Sequence, residues 1–302
     1  MSRTPQTAKT LKVGVVQQAV ANNDKQLSWQ RSAEQVTKLA EQGCELVMLQ
    51  ELHSTLYFCQ QENTDFFDLA EPIPGPATDY FAELAAKLDI VLITSLFEKR
   101  GSGLYHNTAV VFDRQLGMVG KYRKMHIPDD PGFYEKFYFT PGDMGFEPIQ
   151  TSVGKLGVLV CWDQWYPEAA RLMAMRGADM LFYPTAIGWD PADTEDEQQR
   201  QFGAWQTIQR SHAVANSVPV VVANRTGFEA SPVEGDNGIQ FWGQSFIAGP
   251  QGEILAQADA DSEQNLMVEL DLARTEQVKR IWPYFRDRRI DAYDDMTKRW
   301  RD

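Results

Sequence analysis

Cysteine is scarce in this sequence: Cys44, Cys59 and Cys161 are the only three in 302 residues, and no two form a CxxC pair. A disulfide framework is thereby excluded, and reduced thiols are the expectation. Histidine is hardly commoner, with four residues (His53, His106, His126, His212) and no HExxH spacing. No zinc or other transition-metal site is expected. Neither GxGxxG nor a Walker sequence occurs, which removes the usual nucleotide cofactors. The absence of GxSxG removes the serine hydrolases built on that elbow. Ser152-Val-Gly-Lys155 fits SxxK literally, but it falls in a glycine-punctuated turn and is set aside. Apolar runs never approach the roughly 20 residues that cross a bilayer, and Met1 to Thr10 lacks the apolar centre of a signal peptide. A cytoplasmic protein with no membrane partner is expected. Positive charge is also in deficit: 29 Lys and Arg against 42 Asp and Glu leave a net charge of −13. With no basic stripe, nucleic acid is not an expected partner.

What is present is core material, with 43% hydrophobic and 24% charged residues, near globular averages. Leu11 to Gln17 reads as a strand, and Asp24 to Gln42 as a helix stopped by Gly43. Glu45 to Gln50 and Ile90 to Leu96 read as strands around a helix from Pro76 to Leu88. Strands near Tyr105 to Phe112 and Met118 to Tyr122 close the first half. The second half follows a similar order: strands at Leu156 to Val160, Met180 to Tyr183 and Val218 to Ala223, with helices at Pro167 to Arg176 and Gln198 to Asn216. A hairpin, Ile239 to Ala248 and Glu253 to Ala258, turns at Gly249-Pro-Gln-Gly252. Strands alternating with helices predict an α/β fold of two stacked sheets with helices outside. No Gly/Ser-rich linker divides it, so residues 1–302 read as one domain, with an extension from about Asp271 that forms a helix and a charged tail. Ile127 to Phe146 reads as a long aromatic loop, a common place for function.

Four side chains stand out as chemistry. Cys161 follows the apolar run Leu156 to Val160 and precedes Pro167, a residue suited to the first turn of a helix. A thiol at such a strand-to-helix corner can project from the sheet end, with backbone N–H groups beside it for an oxyanion. Its ordinary alternative is a buried small hydrophobe. Glu51 ends a strand and is otherwise a salt-bridging surface residue. Lys124 lies beside Lys121 and Arg123, as in a surface charge run. Glu135 sits among rings in the aromatic loop, where desolvation shifts a carboxylate, or else it pairs with Lys136.

Together, Glu51 in Met-Leu-Gln-Glu, Lys124 in Tyr-Arg-Lys-Met-His-Ile-Pro and Cys161 in Val-Leu-Val-Cys-Trp-Asp-Gln-Trp-Tyr-Pro-Glu resemble the nitrilase superfamily of carbon-nitrogen hydrolases. The likeness runs from the first strand to about residue 285. It implies a four-layer αββα sandwich and homo-oligomers built from dimers. The segments from Glu51 to Gln60 and from His126 to Asp143 resemble the branch of that superfamily that cleaves N-carbamoylputrescine to putrescine, carbon dioxide and ammonia.

The resemblance also implies roles. Cys161 is the nucleophile, Glu51 takes its proton and later activates water, and Lys124 holds positive charge beside the oxyanion with the backbone N–H of Trp162. Glu135 is the family's second glutamate, bonded to Lys124. No cofactor or metal is required. The partner is a small cationic ureido substrate, whose distal ammonium needs a carboxylate or an aromatic face. Asp129, with Asp130 beside it, and Glu195 are candidates for that ammonium, while Tyr57 and Trp189 are candidates for the methylene section. The alternatives are an ω-amidase, a β-ureidopropionase or another nitrilase relative, whose carboxylate substrates want Arg or Lys at the mouth. A binding protein that kept the fold without the chemistry is a further alternative.

Overall fold

The computed structural model describes residues 10–20 and 22–301. The first sheet is assembled around three parallel strands, β1 (Thr10–Gln17), β2 (Leu46–Met48) and β3 (Val91–Gly101), followed by antiparallel β4 (Leu104–Asp113) and β5 (Gly117–Arg123). Along β3, Val91 and Ile93 face one way and Leu92 the other. The first pair enters the core between the sheets, and Leu92 packs beneath the helices α1 (Lys25–Glu41) and α2 (Pro76–Leu88). Burial on both faces accounts for the unbroken apolar run of this strand. The Asp24 side chain caps α1 at the Leu27 N–H, 3.0 Å away, and α2 opens on Pro76.

After the short helix α3 (Glu135–Tyr138), the second half repeats the plan. It contains β6 (Ile149–Thr151), β7 (Gly154–Val158), α4 (Pro167–Met175), β8 (Met180–Pro184), β9 (Gly188–Trp189), α5 (Glu195–Asn216) and β10 (Val220–Ala223). There follow β11 (Thr226–Glu229), β12 (Ile239–Trp242), β13 (Phe246–Ala248), β14 (Ile254–Gln257), β15 (Gln264–Asp271) and α6 (Leu272–Ile281). Strands β7, β8 and β10 are parallel, and the sheet order is β14-β13-β10-β8-β7-β6. Side chains of both sheets, among them Val13, Met48, Ile93, Val158 and Phe182, share one continuous core. The two sheets thus stack, with α1 and α2 on one outer face and α4 and α5 on the other, which is the expected αββα sandwich.

Several elements depart from the sequence reading. The single strand expected over Ile239 to Ala248 is two strands, broken where Gly243 and Gln244 both take φ 53°. Gly243 is needed there because a Cβ would meet the Gln17 side-chain nitrogen at 2.7 Å and the Ala260 carbonyl at 2.8 Å. This break sends β12 into a small separate sheet with β11 and β9. Helix α5 starts at Glu195 rather than Gln198: Thr194 caps it and three acidic residues fill its first turn. The aromatic loop contains α3. Finally, β15 returns to pair with all eight residues of β1, so the end of the second half completes the first sheet.

Candidate active site

Parallel strands deliver their loops to one edge of the sheets, the usual place for a site in α/β architecture. Glu51 lies just past the end of β2, and Cys161 just past the end of β7. Lys124 directly follows β5, its N–H still bonded to the Asn107 carbonyl of β4 at 2.9 Å. Gly142 approaches so closely, donating to the Lys124 carbonyl at 2.8 Å, that a Cβ there would meet the Arg123 carbonyl oxygen at 2.0 Å. Helix α3 brings in Glu135.

Three side chains from separate elements thereby meet. Lys124 Nζ donates to Glu51 Oε1 at 2.8 Å and to Glu135 Oε2 at 2.6 Å, and none of the three is more than 1% exposed. Glu51 Oε1 also accepts from Asn107 Nδ2 at 2.6 Å, whereas Glu51 Oε2 is buried with no partner. Glu135 Oε1 accepts from the Tyr57 hydroxyl at 2.7 Å. Burial opposes the Lys124 ammonium, yet the carboxylates of Glu135 and Glu51 outweigh it and hold its pKa well above the ordinary value. Burial raises Glu135 to about 7, against the pull of Lys124 and with the help of the Glu51 charge.

Cys161 is 4% exposed, and its sulfur is 3.8 Å from the Ala186 carbonyl oxygen. Burial and the charges of Glu51 and Glu135 push its thiol well above the usual range, while Lys124 pulls it down. A thiol so held is protonated near neutral pH and could act as a nucleophile only with a base to take its proton. The Glu51 charge acts on it, and one oxygen of that carboxylate is unpartnered. Cys161 occupies the left-handed region at φ 42°, at the head of a short 3-10 turn running to Trp165. Strain of this kind persists where surrounding structure fixes it. Here Gln164 accepts from Trp205 Nε1 at 2.9 Å, and its carbonyl oxygen lies 2.8 Å from His212 Nε2.

A cavity of about 530 Å³ opens over Cys161 and Glu135. Its walls are aromatic (Phe133, Trp162, Trp165, Trp189 and Trp242), and Asp130, Asp190, Asp193, Glu197 and Arg200 line it as well. Trp162 and Trp189 are both in that lining. The other candidates for substrate contact, Asp130 excepted, lie outside it. Asp129 is exposed and outside the lining, whereas its neighbour Asp130, the first residue of a tight turn closed by a 2.8 Å bond from the Phe133 N–H to the Asp130 carbonyl, lines it. Glu195 is likewise outside, since in α5 it stands about 200° around the helix from Glu197. The helix face that meets the cavity carries Glu197, Arg200, Gln201 and Ala204. Tyr57 is buried behind the lining and touches Glu135 instead of a methylene chain.

Sequence reasoning also passed over the supports. Arg225 Nη1 pairs with Glu229 at 2.6 Å, its Nη2 donates to the Leu52 carbonyl at 2.8 Å, and Glu229 accepts from the Tyr57 N–H at 2.6 Å. This buried pair fixes the chain on either side of Leu52, itself at φ 47°. Only the presence of two charged residues in an otherwise apolar stretch hinted at it. Among the described residues no cluster of three or more His, Cys, Asp or Glu side chains is arranged to hold a metal ion.

A profile described as carbon-nitrogen hydrolase matches residues 12–280. The chain belongs to the carbon-nitrogen hydrolase family. It is 44% identical over 265 residues to an N-carbamoylputrescine amidase of Arabidopsis thaliana, covering 87% of each chain. A citrullinase of Francisella tularensis is 38% identical over 291 residues, covering 96% of this chain and 99% of that one. A carbon-nitrogen hydrolase of Helicobacter pylori G27, known from its crystal structure, superposes with a TM-score of 0.93 at 53% identity, covering 97% of this chain and 100% of that one. The chain shares their nitrilase fold, and no helix among its described residues is long and apolar enough to cross a membrane.

Proposed function

We propose that this carbon-nitrogen hydrolase cleaves N-carbamoylputrescine with water to putrescine, carbon dioxide and ammonia. The observation that carries the reading is an aromatic cavity with a thiol in its lining and an excess of carboxylates around it. Its carboxylates suit an ammonium, its indole faces suit a methylene chain, and the thiol suits a ureido carbon. The relatives in Arabidopsis and other plants, named for this substrate, support it.

Two nitrogens donate into the ureido carbonyl and make its carbon a poor electrophile. Glu51 takes the thiol proton as Cys161 sulfur bonds to that carbon. The oxyanion develops beside Lys124 and the Trp162 N–H, a donor arrangement worth about 3 kcal/mol per donor in other hydrolases. The proton on Glu51 passes to the departing nitrogen as its bond to carbon breaks, leaving a thioester-like acyl-enzyme. Glu51 then deprotonates water as its oxygen bonds to that carbon, the carbon–sulfur bond breaks, and the proton passes from Glu51 to the Cys161 sulfur. The carbamic acid released, whether from ammonia or from the diamine, decomposes to carbon dioxide and the amine. Glu135 holds Lys124 in place, and no cofactor takes part.

Ammonia release from three ureides tests the assignment. A charge-assisted hydrogen bond contributes about 1.5–3 kcal/mol, so kcat/KM for N-carbamoylputrescine is expected to exceed that for neutral N-butylurea by about 10- to 100-fold. Equal rates on the two would overturn ammonium recognition. Citrulline is the rival substrate: Arg200, paired with Glu197 at 2.8 Å in the same wall, offers a zwitterion both charges. A higher kcat/KM for citrulline would move the assignment to it. Cys161→Ala is expected to abolish turnover while leaving the fold intact, and residual hydrolysis would remove Cys161 from its role.

The same reading treats the chain as one catalytic domain working as a cytoplasmic homo-oligomer. Three buried, unpaired cysteines fit a reducing compartment. Ile281, Trp282, Ile290 and Trp300 are 51–81% exposed in the C-terminal segment, apolar surface that a second subunit would cover. Sedimentation of the intact chain and of one ending at residue 280 tests this: the shortened chain should dissociate.

A further inference from the structure

Asp163 is completely buried, outside the cavity lining, two residues beyond the nucleophile. Its oxygens take four donors. Oδ2 accepts from the Val160 N–H at 2.9 Å and from the Tyr122 hydroxyl at 2.9 Å. Oδ1 accepts from the His126 N–H at 3.1 Å and lies 2.6 Å from His126 Nδ1. Because an ionised carboxylate only accepts, Nδ1 must carry the imidazole proton. A carboxylate has about four acceptor positions, so none is left over for substrate.

The identity of those donors is informative. Val160 directly precedes Cys161, while Tyr122 and His126 stand two residues before and two residues after Lys124. One carboxylate therefore ties the cysteine corner to both flanks of the lysine, across the two sheets of the sandwich. The rings that frame it are themselves packed: His126 stacks on Tyr166 with centroids 3.8 Å apart and planes 5° apart. Cys161 is in a left-handed conformation that a non-glycine residue does not favour, and the residue before it, Val160, is held at both polar groups by Asp163, its N–H by the carboxylate and its carbonyl by the Asp163 N–H at 3.1 Å.

We infer that Asp163 is a positioning residue that sets the separation of the Cys161 sulfur from the Lys124 ammonium, with His126 as its lock. The inference rests on the reading of Cys161 and Lys124 as nucleophile and oxyanion partner. Releasing the cross-link moves thiol and ammonium relative to one another, while the parts of the cavity wall given by Phe133, Trp189, Trp242 and helix α5 do not hang on Asp163. Misplacement of a reacting group by about 1 Å costs on the order of 100-fold in rate.

The test measures kcat and KM for N-carbamoylputrescine, and the pH dependence of thiol alkylation, in Asp163→Asn, His126→Phe and His126→Asn. Asp163→Asn should lower kcat about 100-fold with KM within about threefold, and alkylation should shift to higher pH as Lys124 withdraws from the sulfur. His126→Asn, whose amide NH2 can stand in for Nδ1–H, should keep at least about tenfold more activity than His126→Phe. That pair decides the matter if Asp163→Asn does not fold. Full kcat in folded Asp163→Asn, a rise in KM alone, or equal activity in the two His126 variants would overturn the inference. Activity surviving in Cys161→Ala would instead remove the underlying assignment of the nucleophile.

Discussion

Replacing Lys124 with Met keeps the length of the side chain and removes the one cation that two buried carboxylates share. In the native protein its nitrogen lies 2.8 Å from Glu51 and 2.6 Å from Glu135, with all three side chains shielded from water. Breaking a buried pair by deleting one partner costs about 3–5 kcal/mol, because the remaining charge stays desolvated. Here two charges are orphaned, so Lys124→Met should reach the upper end of that range at pH 8. The sign of its pH dependence is diagnostic. Without the ammonium that pulls it down, the folded-state pKa of Glu135, already raised by burial to about 7, rises further above its unfolded value, and the folded protein binds more protons. The deficit should therefore shrink as pH falls from 8 to 5. Adding Glu135→Gln to Lys124→Met should restore part of the loss, since one orphaned charge goes with it. Urea denaturation of the four proteins of this cycle, at fixed protein concentration across that pH range, measures the effect. A Lys124→Met protein as stable as the native one, or a deficit that does not change with pH, would refute the account of Lys124 as a shared counter-ion.

Glu135 titrates at about 7, so kcat/KM should fall as pH drops through that value and one carboxylate around Lys124 takes up a proton. Tyr57→Phe removes a hydrogen bond that favours the charged form, and the acid limb of the pH–rate profile should move to higher pH; an unmoved limb would separate Glu135 from that limb. His53 is buried between Ser32 and Thr94, and burial lowers its pKa to about 3. The unfolded chain, near the ordinary 6.5, then binds the proton that the folded chain refuses. Stability is expected to be fully present above about pH 6.5 and to decline by about 1.4 kcal/mol per unit toward pH 3. His53→Gln should flatten that slope in urea titrations, and an unchanged slope would assign it to other groups.

Much of the architecture was legible in the linear pattern. The apolar runs at Leu11 to Gln17 and Ile90 to Leu96 are long enough to be strands and too short to be spans, and Pro76 and Pro167 mark helix starts by their fixed φ. Elements of two to four residues, such as β9 and β11, carry too few side chains for a period to emerge, and β12 was fused with β13 because Gly243 reads as an ordinary strand glycine. At the site, Glu51 and Cys161 stood out because each follows an apolar strand, and Lys124, inside a charge run, stood out only through the motif it shares with the nitrilase superfamily. Asn107, Arg225, Glu229 and Asp163 did not, since a polar residue beside a strand is usually a solvated one.

The sequence alone determined which groups are available: one thiol at a strand-to-helix corner, a lysine, two glutamates and a surplus of negative charge. Residue type and local spacing fix these, through backbone preference and hydrophobic period. Tertiary structure decided what those groups are worth. Removing water from around Lys124, Glu51 and Glu135 turned a surface-like charge run into a coupled cluster, because Coulomb interactions strengthen as the surroundings lose polarisability. It also put Asp130 and Glu197 in the cavity lining and left Asp129 and Glu195 outside it, through the direction in which a turn and a helix present their side chains, which composition does not record.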